Sequence, residues 1–153
     1  MKLITRLFAG ACAALAIASS AFAGDRATKD EAVAFSNRAV AFWKKNGKDA
    51  AIAEYNNGKG QFVDRDLYVF ALDASSGKAL AHGANPRLVG RDLGALKDPE
   101  GKPFVKEMLE VGKAGKPAWV DYKWPNPVNQ QLEAKSSYVV KVDDVVLGVG
   151  VYK

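Results

Sequence analysis

Hydrophobic and polar residues follow two different periods along this chain, and the change of period divides it. Ala32, Phe35, Ala39, Phe42 and Trp43 recur at three- and four-residue intervals, with Val33 and Val40 beside them, while Lys29, Arg38, Lys44 and Lys45 lie mainly off that stripe. The spacing predicts an amphipathic helix. Thr28-Lys29-Asp30-Glu31 has the form of a capping box at its start, and Asn46-Gly47 is a glycine stop. Asp49 to Tyr55 reads as a further short helix, broken by Asn56-Asn57-Gly58-Lys59-Gly60.

The period then becomes that of a strand. Leu67 to Leu72 is a β-rich run, and Asp73-Ala74-Ser75-Ser76-Gly77 turns it into a second strand from Lys78 to His82, a hairpin signal. Gly83 to Asp98 reads as a loop. Pro103 opens another helix, with Phe104, Met108 and Val111 on one face and Gly112 and Gly115 as its end. Three more strands follow: Ala118 to Trp124, Ser136 to Val142 and Val145 to Tyr152. The first is stopped by Pro125-Asn126-Pro127, and the last two are separated by the tight reversal Asp143-Asp144. This order predicts an α+β domain whose five strands form an antiparallel sheet with helices segregated from it. Gly148 and Gly150 remove side chains from one face of the last strand, so something is expected to approach closely there.

The first 23 residues read differently. Lys2 and Arg6 precede or flank an apolar run from Leu7 to Ile17, no acid occurs before Asp25, and Ala21-Phe22-Ala23 presents small residues where a signal peptidase cuts. That is the pattern of a secretory leader, residues 1–23, cleaved after Ala23. The run is short for a membrane span, which needs about 20 apolar residues, and Cys12 lacks a large aliphatic residue in the lipoprotein position before it. The folded domain is then residues 24–153, periplasmic or secreted.

Composition narrows the chemistry. The chain has 153 residues, 48% of them hydrophobic and 25% charged, which suits one globular domain. One Cys and one His exclude an internal disulfide, a thiolate zinc site and a histidine-rich metal centre. The net charge of +5 is spread among mixed signs, so no nucleic-acid partner is expected. No P-loop, nucleophile elbow, H-E-x-x-H or dinucleotide fingerprint occurs, and the pattern calls for no catalytic residue, metal or cofactor. What stands out is aromatic and polar residues in the strands and their loops. Tyr68, His82, Trp119, Tyr122, Trp124, Lys135, Tyr138 and Tyr152 suit a small cavity for a small polar ligand, with a Lys or His at its mouth to hold a carboxylate. Trp119 and Tyr152 read more readily as plain core.

These residues fall in segments that resemble a known family. Leu67-Tyr68-Val69-Phe70 with Asp73, Ala81-His82-Gly83-Ala84-Asn85-Pro86, Leu88-Val89-Gly90 and Lys97-Asp98-Pro99-Glu100-Gly101-Lys102 occur in that order. Val120-Asp121-Tyr122-Lys123-Trp124-Pro125-Asn126-Pro127, Lys135-Ser136-Ser137-Tyr138-Val139 and Gly148-Val149-Gly150-Val151-Tyr152 follow. Together with the capped helix they closely resemble the single Cache domain, second subtype, of bacterial extracytoplasmic sensors, over nearly all of residues 26–153. The resemblance implies a PAS-like fold, a long N-terminal helix packed on a five-stranded antiparallel sheet whose concave face binds a small molecule. It carries over Tyr68, His82, Tyr122, Trp124, Lys135 and Tyr138, and more weakly Arg87, as ligand-binding positions.

The resemblance also implies a role in sensing and chemotaxis, with short organic acids as ligands. Membrane sensors of this kind carry a transmembrane helix on each side of the domain. A chain with a cleavable leader that stops at Lys153 resembles instead the stand-alone exported form. The expected function is a periplasmic binding domain for a small carboxylate, accessory to signal transduction or uptake, rather than an enzyme. Its partners would be a membrane chemoreceptor, a histidine kinase or a transporter, with a homodimer through the first helix. Two rivals stand beside it: a module that docks on a receptor without any small ligand, favoured by exposed apolar residues on that helix and a filled pocket, and a small enzyme using His82. Mass spectrometry of the exported protein is expected to find Gly24 as its first residue; retention of residues 1–23 would refute the leader.

Overall fold

The computed structural model describes residues 26–153, so the leader and its cleavage point lie outside the described residues. The first helix, α1, spans Lys29–Asn46. Its start is held as the capping box requires: Glu31 Oε2 accepts the Thr28 amide at 2.7 Å, and Thr28 Oγ1 accepts the Glu31 amide at 3.2 Å. Its buried face is Ala32, Phe35, Ser36, Ala39 and Trp43. The Trp43 indole donates to Asp143 at 2.7 Å, which ties the end of the helix to a sheet turn. A short helix, α2, runs from Lys48 to Tyr55, and the buried Tyr55 hydroxyl donates to the Ala39 carbonyl of α1 at 2.7 Å.

The strands are β1 (Val63–Asp64), β2 (Leu67–Asp73), β3 (Ala79–His82), β4 (Ala118–Pro125), β5 (Leu132–Val142) and β6 (Val145–Tyr152). β2, β6, β5 and β4 lie side by side in that order, all antiparallel, and β2 also pairs with β1 and β3. The five expected strands are present, with the two-residue β1 added. β5 begins at Leu132, four residues before the expected start, because Leu132–Lys135 pair with Pro125–Tyr122 across the ladder. Between β3 and β4 come a 3-10 turn, Pro86–Leu88, and the helix α3, Phe104–Ala114. Gly112 does not end α3. It lies inside the helix, where the lack of a side chain lets α3 settle on Val146 of β6, and left-handed Gly115 makes the stop.

Alternation along the strands sorts the side chains to two faces. Leu67, Val69, Ala71, Val140, Val142, Val145, Leu147 and Val149 join α1 and α2 in one core. Tyr68, Phe70, Leu72, Val120, Tyr122, Val139, Val146 and Tyr152 face the other way, against Phe104, Val105 and Met108 of α3. The outer edge at β4 is closed by the 97–103 segment. Asp98 accepts the amides of Glu100 and Lys102 at 3.0 and 2.9 Å and the Lys123 amide of β4 at 3.1 Å. This carboxylate is a buried edge cap.

Residues 26 and 153 also meet. Arg26 donates to the Lys153 carbonyl at 2.6 Å and to Glu133 at 3.0 Å, while Glu133 accepts from Asn126 at 2.9 Å. A Cβ at Gly148 would run into the Phe70 ring. Gly148→Ala is therefore expected to lower stability by about 1–3 kcal/mol, the range for overpacking a close-packed interior, as a shift of the urea midpoint. An unchanged midpoint would show that the ring has room to yield.

Candidate ligand-binding site

The face of the sheet away from α1 carries the candidate site. Strand parity places Tyr68 and Phe70 of β2, Tyr122 and Trp124 of β4, Lys135 and Ser137 of β5 and Tyr152 of β6 on it. The two glycines of β6 make this crowd possible. Gly148 leaves its place to the Phe70 ring, and a Cβ at Gly150 would strike the Lys135 side chain and the Ser137 hydroxyl. What approaches the bare strand is thus the protein's own ring and its own lysine.

In front of these residues lies a cavity of about 380 Å³ whose walls include Tyr68, His82, Asn85, Arg87, Trp124 and the Pro125–Pro127 segment. His82 and Trp124 also border a much narrower apolar slot of about 20 Å³, enclosed by Leu96, Phe104, Met108 and Tyr122 among others. That space holds a methyl-sized group.

His82 is fixed from three directions. Asn56 anchors its strand end, accepting the His82 amide at 3.0 Å and donating to the Leu80 carbonyl at 3.1 Å. The Asn85 amide donates to His82 Nδ1 at 3.0 Å. Nδ1 therefore holds a lone pair, and the neutral ring carries its proton on Nε2. The ring lies 4.9 Å from Tyr68 and 6.2 Å from Trp124, centroid to centroid. Burial lowers its pKa to about 3, and a charge on Lys135 acts in the same direction. His82 is thus a neutral wall group whose Nε2–H meets no protein acceptor among the described residues.

Lys135 is 1% exposed and stands one layer behind the wall. Its Nζ donates to the Tyr68 hydroxyl at 2.7 Å and lies 4.0 Å from the centre of the Tyr68 ring and 4.9 Å from that of Tyr152. Among the described residues no salt bridge reaches it. Burial pulls its pKa well below the lysine value, opposed by the charge of Asp66. The Tyr152 hydroxyl donates to the Pro125 carbonyl at 2.8 Å, so the 3.3 Å bond between Tyr68 and Tyr152 has Tyr68 as its donor. A directed chain results, from Lys135 through Tyr68 and Tyr152 to the Pro125 carbonyl on the cavity wall. Tyr122 is bonded to Ser137 at 2.9 Å. Burial holds Tyr68 and Tyr122 well above the usual tyrosine pKa, so both stay protonated.

Of the expected positions, the structure brings Tyr68, His82, Arg87 and Trp124 to the cavity, with Arg87 exposed on the 3-10 turn. Tyr122 lines the narrow slot. Lys135 is enclosed rather than at a mouth. Tyr138 is a correction: three residues on from Lys135 it points to the opposite face, where its ring packs 5.2 Å from Trp119 in the helix-side core. The reading from sequence favours plain core for Tyr152, whose two-residue phase with Gly148 and Gly150 was the signal for the site face, and misses Asn56, for which nothing local gives one. Ser136 and Ser137 are engaged with Asp121 and Tyr122, so neither pairs with His82. No group of three or more metal-ligating side chains stands together among the described residues.

The family comparison agrees with this architecture. The single Cache domain 2 family matches residues 44–153, and the chain belongs to that family. It is 35% identical over 91 residues to the methyl-accepting chemotaxis protein McpP of Pseudomonas putida, covering 58% of this chain and 16% of that protein. It is 33% identical over 90 residues to the sensor histidine kinase MctS of Rhizobium johnstonii, covering 58% of this chain and 19% of that protein. The chain thus spans less than a fifth of either relative. Among solved structures it resembles a methyl-accepting chemotaxis protein from Vibrio parahaemolyticus, with TM-score 0.68, 27% identity and coverage of 81% and 87% of the two chains. A Cache chemosensory domain described for carboxylic acid recognition gives TM-score 0.61 and 26% identity, covering 80% and 86%.

In an NMR titration the His82 ring is expected to protonate only near pH 3 rather than near 6.5. The unfolded chain takes up the proton that the folded one refuses, so the His82 contribution is complete above pH 6.5 and falls away as the pH drops toward 3. Its share of the loss should reach about 2 kcal/mol by pH 5, measured as the part of the pH-dependent urea stability that His82→Gln removes. An imidazole titrating near 6.5 would contradict the buried neutral ring.

Proposed function

We propose that this protein is an exported sensor domain that captures a small carboxylate in the cavity between Tyr68, His82, Arg87 and Trp124, and presents it to a membrane receptor or transporter or buffers it. The observation that carries the reading is an open cavity of about 380 Å³ backed by a buried amine with no acid bonded to it. A carboxylate supplies the missing charge. His82 Nε2–H and the Tyr68 hydroxyl are the donors for its oxygens, Arg87 adds charge at the entrance, and Trp124 walls off the apolar remainder. A single methyl or methylene fills the slot beside Phe104 and Met108. The likeness to a Cache domain that recognises a carboxylic acid supports the same class of ligand.

The docking rival called for exposed apolar residues on the first helix and a filled pocket. The large apolar side chains that are exposed among the described residues are Val89, Val128 and Leu132, none of them on α1, and the cavity is open. The relatives being parts of a chemoreceptor and a histidine kinase supports a sensory rather than a catalytic role.

A thermal-shift screen of the purified protein against acetate, propionate, lactate and pyruvate tests this, because a ligand bound only by the folded state raises the melting temperature. At least one acid is expected to do so. His82→Phe should then weaken binding about tenfold, the effect of losing one hydrogen bond to a charged group. Failure of every short carboxylate to stabilise the protein would refute the reading.

A further inference from the structure

An anion in the cavity must meet a positive charge, and the neighbouring groups differ in their ability to provide one. Arg87 is exposed on the 3-10 turn, where water and salt weaken its field. His82 is neutral, with Nδ1 already accepting from Asn85. Tyr68, Tyr122 and Tyr152 hold their protons. Behind Tyr68, Asp66 is a buried carboxylate in the turn before β2, with one oxygen on the Ala27 amide at 3.0 Å. On its outer side Lys135 borders a cleft shared with Asp98, Glu100, Lys102, Asp121, Lys123 and Lys153. There Lys102, Lys123 and Lys153 are paired with Glu107, Glu100 and Asp121. Lys135 is thus the one buried amine at the site, and it reaches the cavity only through the Tyr68 hydroxyl.

The hydrogen-bond chain has a weak link at that hydroxyl. Tyr68 to Tyr152 is 3.3 Å, against 2.7 Å for Lys135 to Tyr68 and 2.8 Å for Tyr152 to Pro125. The hydrogen of Tyr68 is the one most easily redirected, and an anion at the cavity wall is the stronger acceptor.

We propose that Lys135 is a positioning residue acting through Tyr68: a carboxylate is taken up together with one proton from solvent, which settles on the Lys135 amine, while Tyr68 turns its hydrogen from Tyr152 to the anion. The balance is simple. The bound carboxylate keeps its charge, the amine becomes an ammonium, and the pair is neutral inside the protein. Without the anion the ammonium has no acid bonded to it and only the charge of Asp66 near it, so the low polarity of its surroundings favours the free amine. This rests on the reading of the cavity as a carboxylate site, and it adds that affinity falls as protons become scarce.

Isothermal titration of the purified protein with sodium propionate, in phosphate and in Tris at matched pH, tests it. The two buffers differ widely in ionisation enthalpy, so proton uptake appears as a difference in heat. The expected result is uptake approaching one proton and an affinity that falls by up to about tenfold per pH unit where the empty protein has lost the Lys135 proton. Lys135→Arg, which stays charged at every pH, should bind with buffer-independent heat and a flat pH profile. Lys135→Met should bind at least tenfold more weakly. Propionate binding by the wild-type protein with the same heat in both buffers from about pH 6 to 9 would overturn the proposal while leaving the carboxylate site standing. If neither propionate nor acetate binds the wild-type protein, the carboxylate site itself is overturned and this proposal with it. The wild-type arm is decisive even if a variant fails to fold.

Discussion

The site depends on a vacancy in one strand. β6 has no side chain at positions 148 and 150, and into those two gaps go a phenyl ring and the stem of a lysine. Without them the face would be an ordinary aliphatic sheet surface like its reverse, where Val145, Leu147 and Val149 are packed under α1. With them, an amine is carried into the interior and enclosed by the rings of Tyr68 and Tyr152. Close packing does the rest, since the ring of Phe70 and the stem of Lys135 occupy space that a methyl group would otherwise take.

The two faces of the sheet divide the labour. The helix side is stabilised by burial of aliphatic and aromatic surface and by a few directed bonds, such as Trp43 to Asp143 and Tyr55 to Ala39. The opposite side gives up part of that apolar packing to place hydroxyls, an imidazole and an amine around open space. Its polar groups are held in place by their neighbours: Asn56 and Asn85 on His82, Ser137 on Tyr122 and the Pro125 carbonyl on Tyr152.

Most of the architecture was legible in the residues, and the errors have physical causes. The capping box and the period of α1 are local signals, and the structure keeps both ends of that helix where they point. The start of β5 is not local. Leu132 to Lys135 has little β-forming character and becomes strand because Tyr122 to Pro125 offers it a ladder. The resemblance carries Tyr138 over together with Lys135, although an odd separation on a strand places two side chains on opposite faces. Gly112 shows the reverse error, since a glycine inside a helix serves close packing as readily as termination. The burial of Asp98 and the anchoring role of Asn56 depend on partners far along the chain, and no local pattern announces such partners.

The Arg26 network has a practical meaning. One guanidinium clasps the Lys153 carbonyl and Glu133, and Glu133 in turn holds Asn126, whose neighbours Pro125 and Pro127 border the cavity with it. Backbone positions 26 and 153 therefore share an anchor with that border. Replacing Arg26 would therefore loosen the cavity border and the Lys153 backbone together, although neither is near it in sequence.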